Sequence, residues 1–167
     1  EGPAPGEYRE EQLLRYGVDV TWTDFTGYFQ QLIAQGTSIN IASSVAPQQI
    51  RRAVVGFDNR AAEADELEKM KSLVSQAMEQ GAVGLSAAWH SGGPEYVDEL
   101  IEMAVVAAQY GGYYGTHVGS EGFDIGTELD KTFQIARASG IPVHIYHLKI
   151  RGREHWGQIG RAIDKIE

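Results

Sequence analysis

Five histidines and no cysteine set the chemistry open to this 167-residue chain. Without a thiol there is no thiolate zinc ligand, no cysteine nucleophile and no disulfide framework. The G-x-S-x-G elbow of a serine hydrolase is also missing from the sequence. Imidazole chemistry remains. His117 lies near the end of the extended run "YYGTHV", and His147 follows 30 residues later, near the end of "IPVHIYHLKI". Two neutral imidazoles side by side at one rim of a sheet make half of a zinc site; the alternative is two satisfied strand-end histidines. Strand alternation puts Val143, Ile145, His147 and Lys149 on one face and His144, Tyr146 and Leu148 on the other. A lysine sharing the face of a metal-bound imidazole must be solvated or paired. His144 is expected to face the helix layer in a structural role. His90, in the loop "HSGGPEY", is a candidate substrate contact or a solvated loop residue. Ser86, in "GLSAAW", is balanced between ligand contact and packing, and His155, beside Trp156, reads as a packing or capping residue. Glu121 reads as a partner for a ligating imidazole or as an exposed loop carboxylate.

The elements that must position these residues follow from hydrophobic spacing. Phe25, Tyr28, Phe29, Leu32 and Ile33 recur at helical intervals behind the capping candidates Thr23 and Asp24, with Gly36 as a stop. "SINIASSVA" (38–46) alternates Ile39 and Ile41 with polar neighbours and reads as a strand, followed by a short helix in "PQQIRRAVVG". Leu67, Met70, Leu73, Val74 and Met78 stripe a charged helix ending at Gly81. An apolar strand, "AVGLSAAW", comes next. The pattern then repeats: a helix over 95–110, the run to His117, a helix over 124–139, the strand "IPVHIYHLKI", and a further helix in "WGQIGRAIDKIE". The recurrence is close to one βα unit of about 30 residues, the mark of parallel strands returning through helices. Neither G-x-G-x-x-G nor a P-loop occurs, which favours a barrel over a doubly wound nucleotide fold. The expected fold is therefore α/β, a partial (β/α)8 TIM-type barrel of about four consecutive βα units over 21–167, with an irregular lead-in over 1–20. A complete barrel takes roughly 250 residues, so the chain reads as a piece of something longer.

Charge narrows the partners. Asp plus Glu number 23 against 14 Lys plus Arg, which argues against nucleic acid or an anionic membrane surface, and the aromatics are not interleaved with basic clusters. No apolar run nears the roughly 20 residues of a membrane span, and "EGPAPGEYRE" lacks the order of a signal peptide. The compartment stays open, with the cytoplasm ahead of the periplasm or secretion.

The succession "FTGYFQQLIAQGTSINIASSVA", "AMEQGAVGLSAAW", "DELIEMAVVAAQYGGYYGTHVGSEG" and "ASGIPVHIYHLKIRGREHWG" resembles the N-acyl-D-amino-acid deacylases (D-aminoacylases) of the amidohydrolase superfamily, from about residue 20 onward. The resemblance implies a zinc-dependent hydrolase, with one or two ions or another divalent metal, that cleaves the amide of a small N-acyl-D-amino acid. It implies metal ligation by His117 and His147, which match the family's T-H-x-R and S-H-x-K histidines, and a place for Lys149 near metal and substrate. Ser86 and His90 are the further substrate-contact candidates. Gly119, Ser120 and Tyr146 depart from the commoner Arg, Asp and Ser. The resemblance places the family's H-x-H ligands and its acidic or thiolate bridging ligand before residue 1, and its catalytic Asp beyond residue 167; no catalytic residue is then expected in this chain, which would be inactive alone. The rival readings are another amidohydrolase, such as a dihydroorotase-like or hydantoinase-like cyclic amidase, and a non-catalytic half-barrel module that self-associates through exposed sheet edges.

Overall fold

A computed structural model describes residues 6–88 and 94–167. Its centre is a parallel sheet of three strands in the order β1 (Gly84–Ala88), β2 (Tyr113–His117) and β3 (Val143–Ile145). Among the described residues seven helices accompany it: α1 (Gly6–Tyr16), α2 (Phe25–Gln35), α3 (Pro47–Val54), α4 (Ala64–Glu79), α5 (Pro94–Gln109), α6 (Ile125–Ser139) and α7 (Ile159–Ile166), the last preceded by a 3₁₀ turn over Arg153–Gln158. The α5 and α6 crossovers are the ones the βα spacing predicts.

One face of the sheet is apolar and covered. Leu85 and Ala87 of β1 register against Tyr114 and Thr116 of β2, and all four are buried. They pack with Met70 and Val74 of α4 and with Leu100, Met103 and Ala107 of α5, each at 0 % exposure, so the helical stripes read from the sequence are the core. A second cluster joins Leu129 and Ile125 of α6 to Ala162 of α7, with Ile145 against it. Glu99 of α5 enters this layer as a buried carboxylate. It takes the Arg51 Nε at 2.7 Å and the Ala62 amide at 2.8 Å, and so ties α3 and the 56–62 loop to α5.

Three expectations change. The strand read over 38–46 contributes only Ser43–Val45, which lies parallel along β1: Val83 N donates to Ser43 O (3.0 Å), Val45 N to Gly84 O (2.9 Å) and Ser86 N to Val45 O (2.7 Å). Ile39 and Ile41, whose alternation suggested the strand, are exposed and have no core to face. The lead-in expected to be irregular carries α1, which closes at Gly17 and is clasped by the Arg9–Asp19 pair. The third change concerns β3, which stops at Ile145 instead of running on to Lys149; Tyr146 and His147 form a turn.

Candidate metal centre

That early stop builds the site. In register, Tyr114 pairs with Val143 and Thr116 with Ile145, so Val143 and Ile145 face the helices, and Gly115 pairs with His144 on the opposite, open face. His144 is therefore not a helix-layer residue. It stands exposed on the open face between the Tyr113 ring (6.3 Å) and the Tyr146 ring (5.3 Å). Unbroken alternation would have sent His147 to the helix side with Ile145. A positive φ of 39° at His147, unusual for a residue with a Cβ, breaks the alternation and turns the imidazole back to the open rim.

There it meets His117, the last residue of β2. His117 Nδ1 and His147 Nε2 are 2.8 Å apart, with ring centroids separated by 4.6 Å. Two nitrogens on one tetrahedral zinc stand about 3.3 Å apart, given Zn–N bonds of about 2.0–2.1 Å. The pair is thus converged to within half an ångström of ligand spacing, and a small opening of the two rings would admit a divalent ion between them. Among the described residues no group of three or more His, Asp or Glu side chains gathers in this way, so two imidazoles are what these residues offer a metal.

The loops after β2 and β3 set the proton positions. Lys149 Nζ lies 2.8 Å from His147 Nδ1 and also holds Glu121, whose Oε1 is 3.3 Å from that same Nδ1. An ammonium only donates. With Lys149 donating, His147 carries its proton on Nε2 and passes a hydrogen bond to His117. In the other tautomer Nδ1 donates to Glu121 and the Nε2 lone pair is free for a metal. The Lys149 hydrogen bond, reinforced by the positive charges of Lys149 and Arg151, holds the Glu121 carboxyl below the usual carboxylate range against a partial desolvation that opposes it. Glu121, which the sequence leaves between a partner for a ligating imidazole and an exposed loop carboxylate, stands beside the histidine of the next unit.

Of the remaining candidates, Ser86 lies on the open face, where its Oγ accepts from the Tyr146 hydroxyl at 3.3 Å. His155 packs beside Phe123 (6.3 Å between rings) and under Gly122. His90 falls outside the described residues. Strand alternation and the departure from the family pattern mark Tyr146 in the sequence, but neither gives it a task at the site. A glycine inside a strand, Gly115, was the available signal for it, since such a residue marks close approach by another group.

No family model matches the chain. A D-aminoacylase of Alcaligenes xylosoxydans xylosoxydans is 32% identical over 157 residues, covering 93% of this chain and 32% of the relative. A crystal structure of a D-aminoacylase, described for its binuclear metal centre with one-metal activation and second-metal attenuation, superposes with a TM-score of 0.79 at 30% identity, over 98% of this chain and 34% of that one. An N-acyl-D-glutamate deacylase from Bordetella bronchiseptica, solved with zinc and a phosphonate that mimics the tetrahedral intermediate, gives a TM-score of 0.82 at 26% identity, over 99% and 35%. The chain thus spans about a third of the length of these relatives. By sequence and by fold alike, the chain matches a third of the N-acyl-D-amino-acid deacylases, the D-aminoacylases of the amidohydrolase superfamily.

Proposed function

We propose that the chain is part of a metal-dependent hydrolase that cleaves the amide of N-acyl-D-amino acids, and that its sheet, with the Ser43–Val45 segment, is about four βα units of a (β/α)8 barrel wall. The observation that carries this reading is the convergence of His117 Nδ1 and His147 Nε2, 2.8 Å apart, at the C-terminal ends of adjacent parallel strands. That end of a barrel is where such folds keep their chemistry. His117 and His147 would hold a zinc ion or another divalent metal, one or two in the complete site. When bound, such an ion lowers the pKa of a water and polarises the scissile carbonyl.

The chain's own residues then have distinct tasks. Glu121 accepts the His147 Nδ1 proton and fixes the ring with Nε2 toward the metal. Lys149, held by Glu121 at the same rim, presents an ammonium to the carboxylate of an N-acyl amino acid. Ser86 accepts from Tyr146 and keeps its own O–H to offer a ligand. Two imidazoles fall short of the three protein ligands usual for a catalytic zinc, so turnover requires residues outside this chain.

The test is hydrolysis of N-acetyl-D-amino acids by the zinc-loaded full-length protein. His117→Ala and His147→Ala should each lower kcat/KM by about a thousandfold or more, the equivalent of the several kcal/mol a Lewis acid supplies. Hydrolysis of cyclic amides with no action on N-acyl-D-amino acids would transfer the site to a cyclic amidase. Turnover by the 167-residue chain alone, absent in its His117→Ala variant, would refute the need for outside residues.

A further inference from the structure

The open face carries a side chain that spans the sheet. Tyr146 leaves the end of β3 and crosses β2 above Gly115, where an added Cβ would overlap its hydroxyl. It reaches Ser86 on β1, two strands away, at 3.3 Å. Its backbone is pinned to the same place, since Tyr146 N donates to Thr116 O at 2.9 Å, one residue before His117. The ring lies against two imidazoles, His144 at 5.3 Å and His117 at 5.1 Å and 60°. His117 sits at a strand end and is only partly buried, a setting in which an imidazole can take several rotamers. With the phenol beside it, the His117 ring turns its Nδ1 to His147 Nε2 at 2.8 Å.

We propose that Tyr146 is a positioning residue for His117, a brace anchored on Ser86 across Gly115 that holds the imidazole in its ligating orientation. The inference rests on His117 being a metal ligand and is independent of which amide is hydrolysed. Zinc affinity of the full-length protein, measured without substrate by competition with a chelating dye, tests it. Tyr146→Ala weakens zinc binding by about 10- to 100-fold, the range for groups that orient metal ligands. Tyr146→Phe keeps the ring contact and recovers most of that loss. It and Ser86→Ala lose the same smaller factor, and their double mutant is no worse than either, because both cut one strut. A merely structural role would lower the unfolding temperature of the metal-free variants without this non-additive pattern in affinity. His117→Ala runs alongside: zinc binding that survives it overturns the ligand assignment and the brace together. Binding lost in His117→Ala but within twofold of wild type in Tyr146→Ala overturns the brace alone. If Tyr146→Ala does not fold, the Phe and Ser86 cycle decides, and additive or absent losses there sink the proposal.

Discussion

At the level of single residues, the carboxylate of Glu121 governs the site as much as the two imidazoles do. It pairs with Lys149 and lies 3.3 Å from His147 Nδ1, so it bears on which His147 nitrogen is left bare. Glu121→Gln keeps the shape but weakens both roles, and zinc affinity should fall by about tenfold; an unchanged dissociation constant would show that the His147 tautomer is set elsewhere. The histidine pair was legible in the sequence because His117 ends one strand and His147 follows the next, one βα unit apart. The way His147 gets there was not. Alternation placed it correctly with Lys149 but on the face of Val143 and Ile145, which is the helix side. A reversal of backbone hand at one residue leaves no trace in a polar-apolar pattern, and for the same reason His144 was assigned to the wrong face.

At the level of elements, helices were read well and the sheet less so. A helix against a sheet must show a 3.6-residue apolar stripe, and Leu67, Met70, Val74 and Met78 of α4 supplied one. Strands of three to five residues carry too few alternations to fix their ends. The α4 start adds a testable detail: Glu66 accepts the Glu63 amide at 2.8 Å and a two-pronged Arg60 pair at 2.7 Å. The Arg60 guanidinium, followed by that amide, pulls the Glu66 carboxyl down to about 2. Its folded pKa lies below its ordinary 4.5, so its stabilisation is complete above about pH 4.5 and is lost as pH falls through about 2. Unfolding midpoints for wild type and Glu66→Gln should differ at pH 7 and converge by pH 2; parallel curves would remove the pair from the stability balance. In β1, Gly84 has φ +153°, and a Cβ there would strike the Tyr113 backbone. Gly84→Ala should cost about 2 kcal/mol or more by strain and loss of the β1–β2 register, read from urea unfolding.

At the level of the whole molecule, the sheet ends without closure. Among the described residues no strand pairs with the far side of β3, and Ile159, Ile163 and Ile166 leave an exposed stripe on α7. Unpaired edges recruit other chains. Sedimentation of the 167-residue chain should therefore show concentration-dependent association, reduced by charged substitutions at Ile163 and Ile166; a monomer at all concentrations would show that these surfaces are self-sufficient. The exposure of the α7 stripe is not legible in the sequence, since an apolar helix face reads the same whether it is covered or bare.

The left-handed backbone at residue 147 has a further consequence, for laboratory selection. A residue with a Cβ in that conformation costs about 1 kcal/mol relative to glycine. A library screened only for heat resistance would thus be drawn to Gly or Asn at 147, improving the scaffold and discarding the imidazole that faces His117 in one step. Thermostable variants of this protein should be bred under a zinc-retention screen, with codon 147 held fixed.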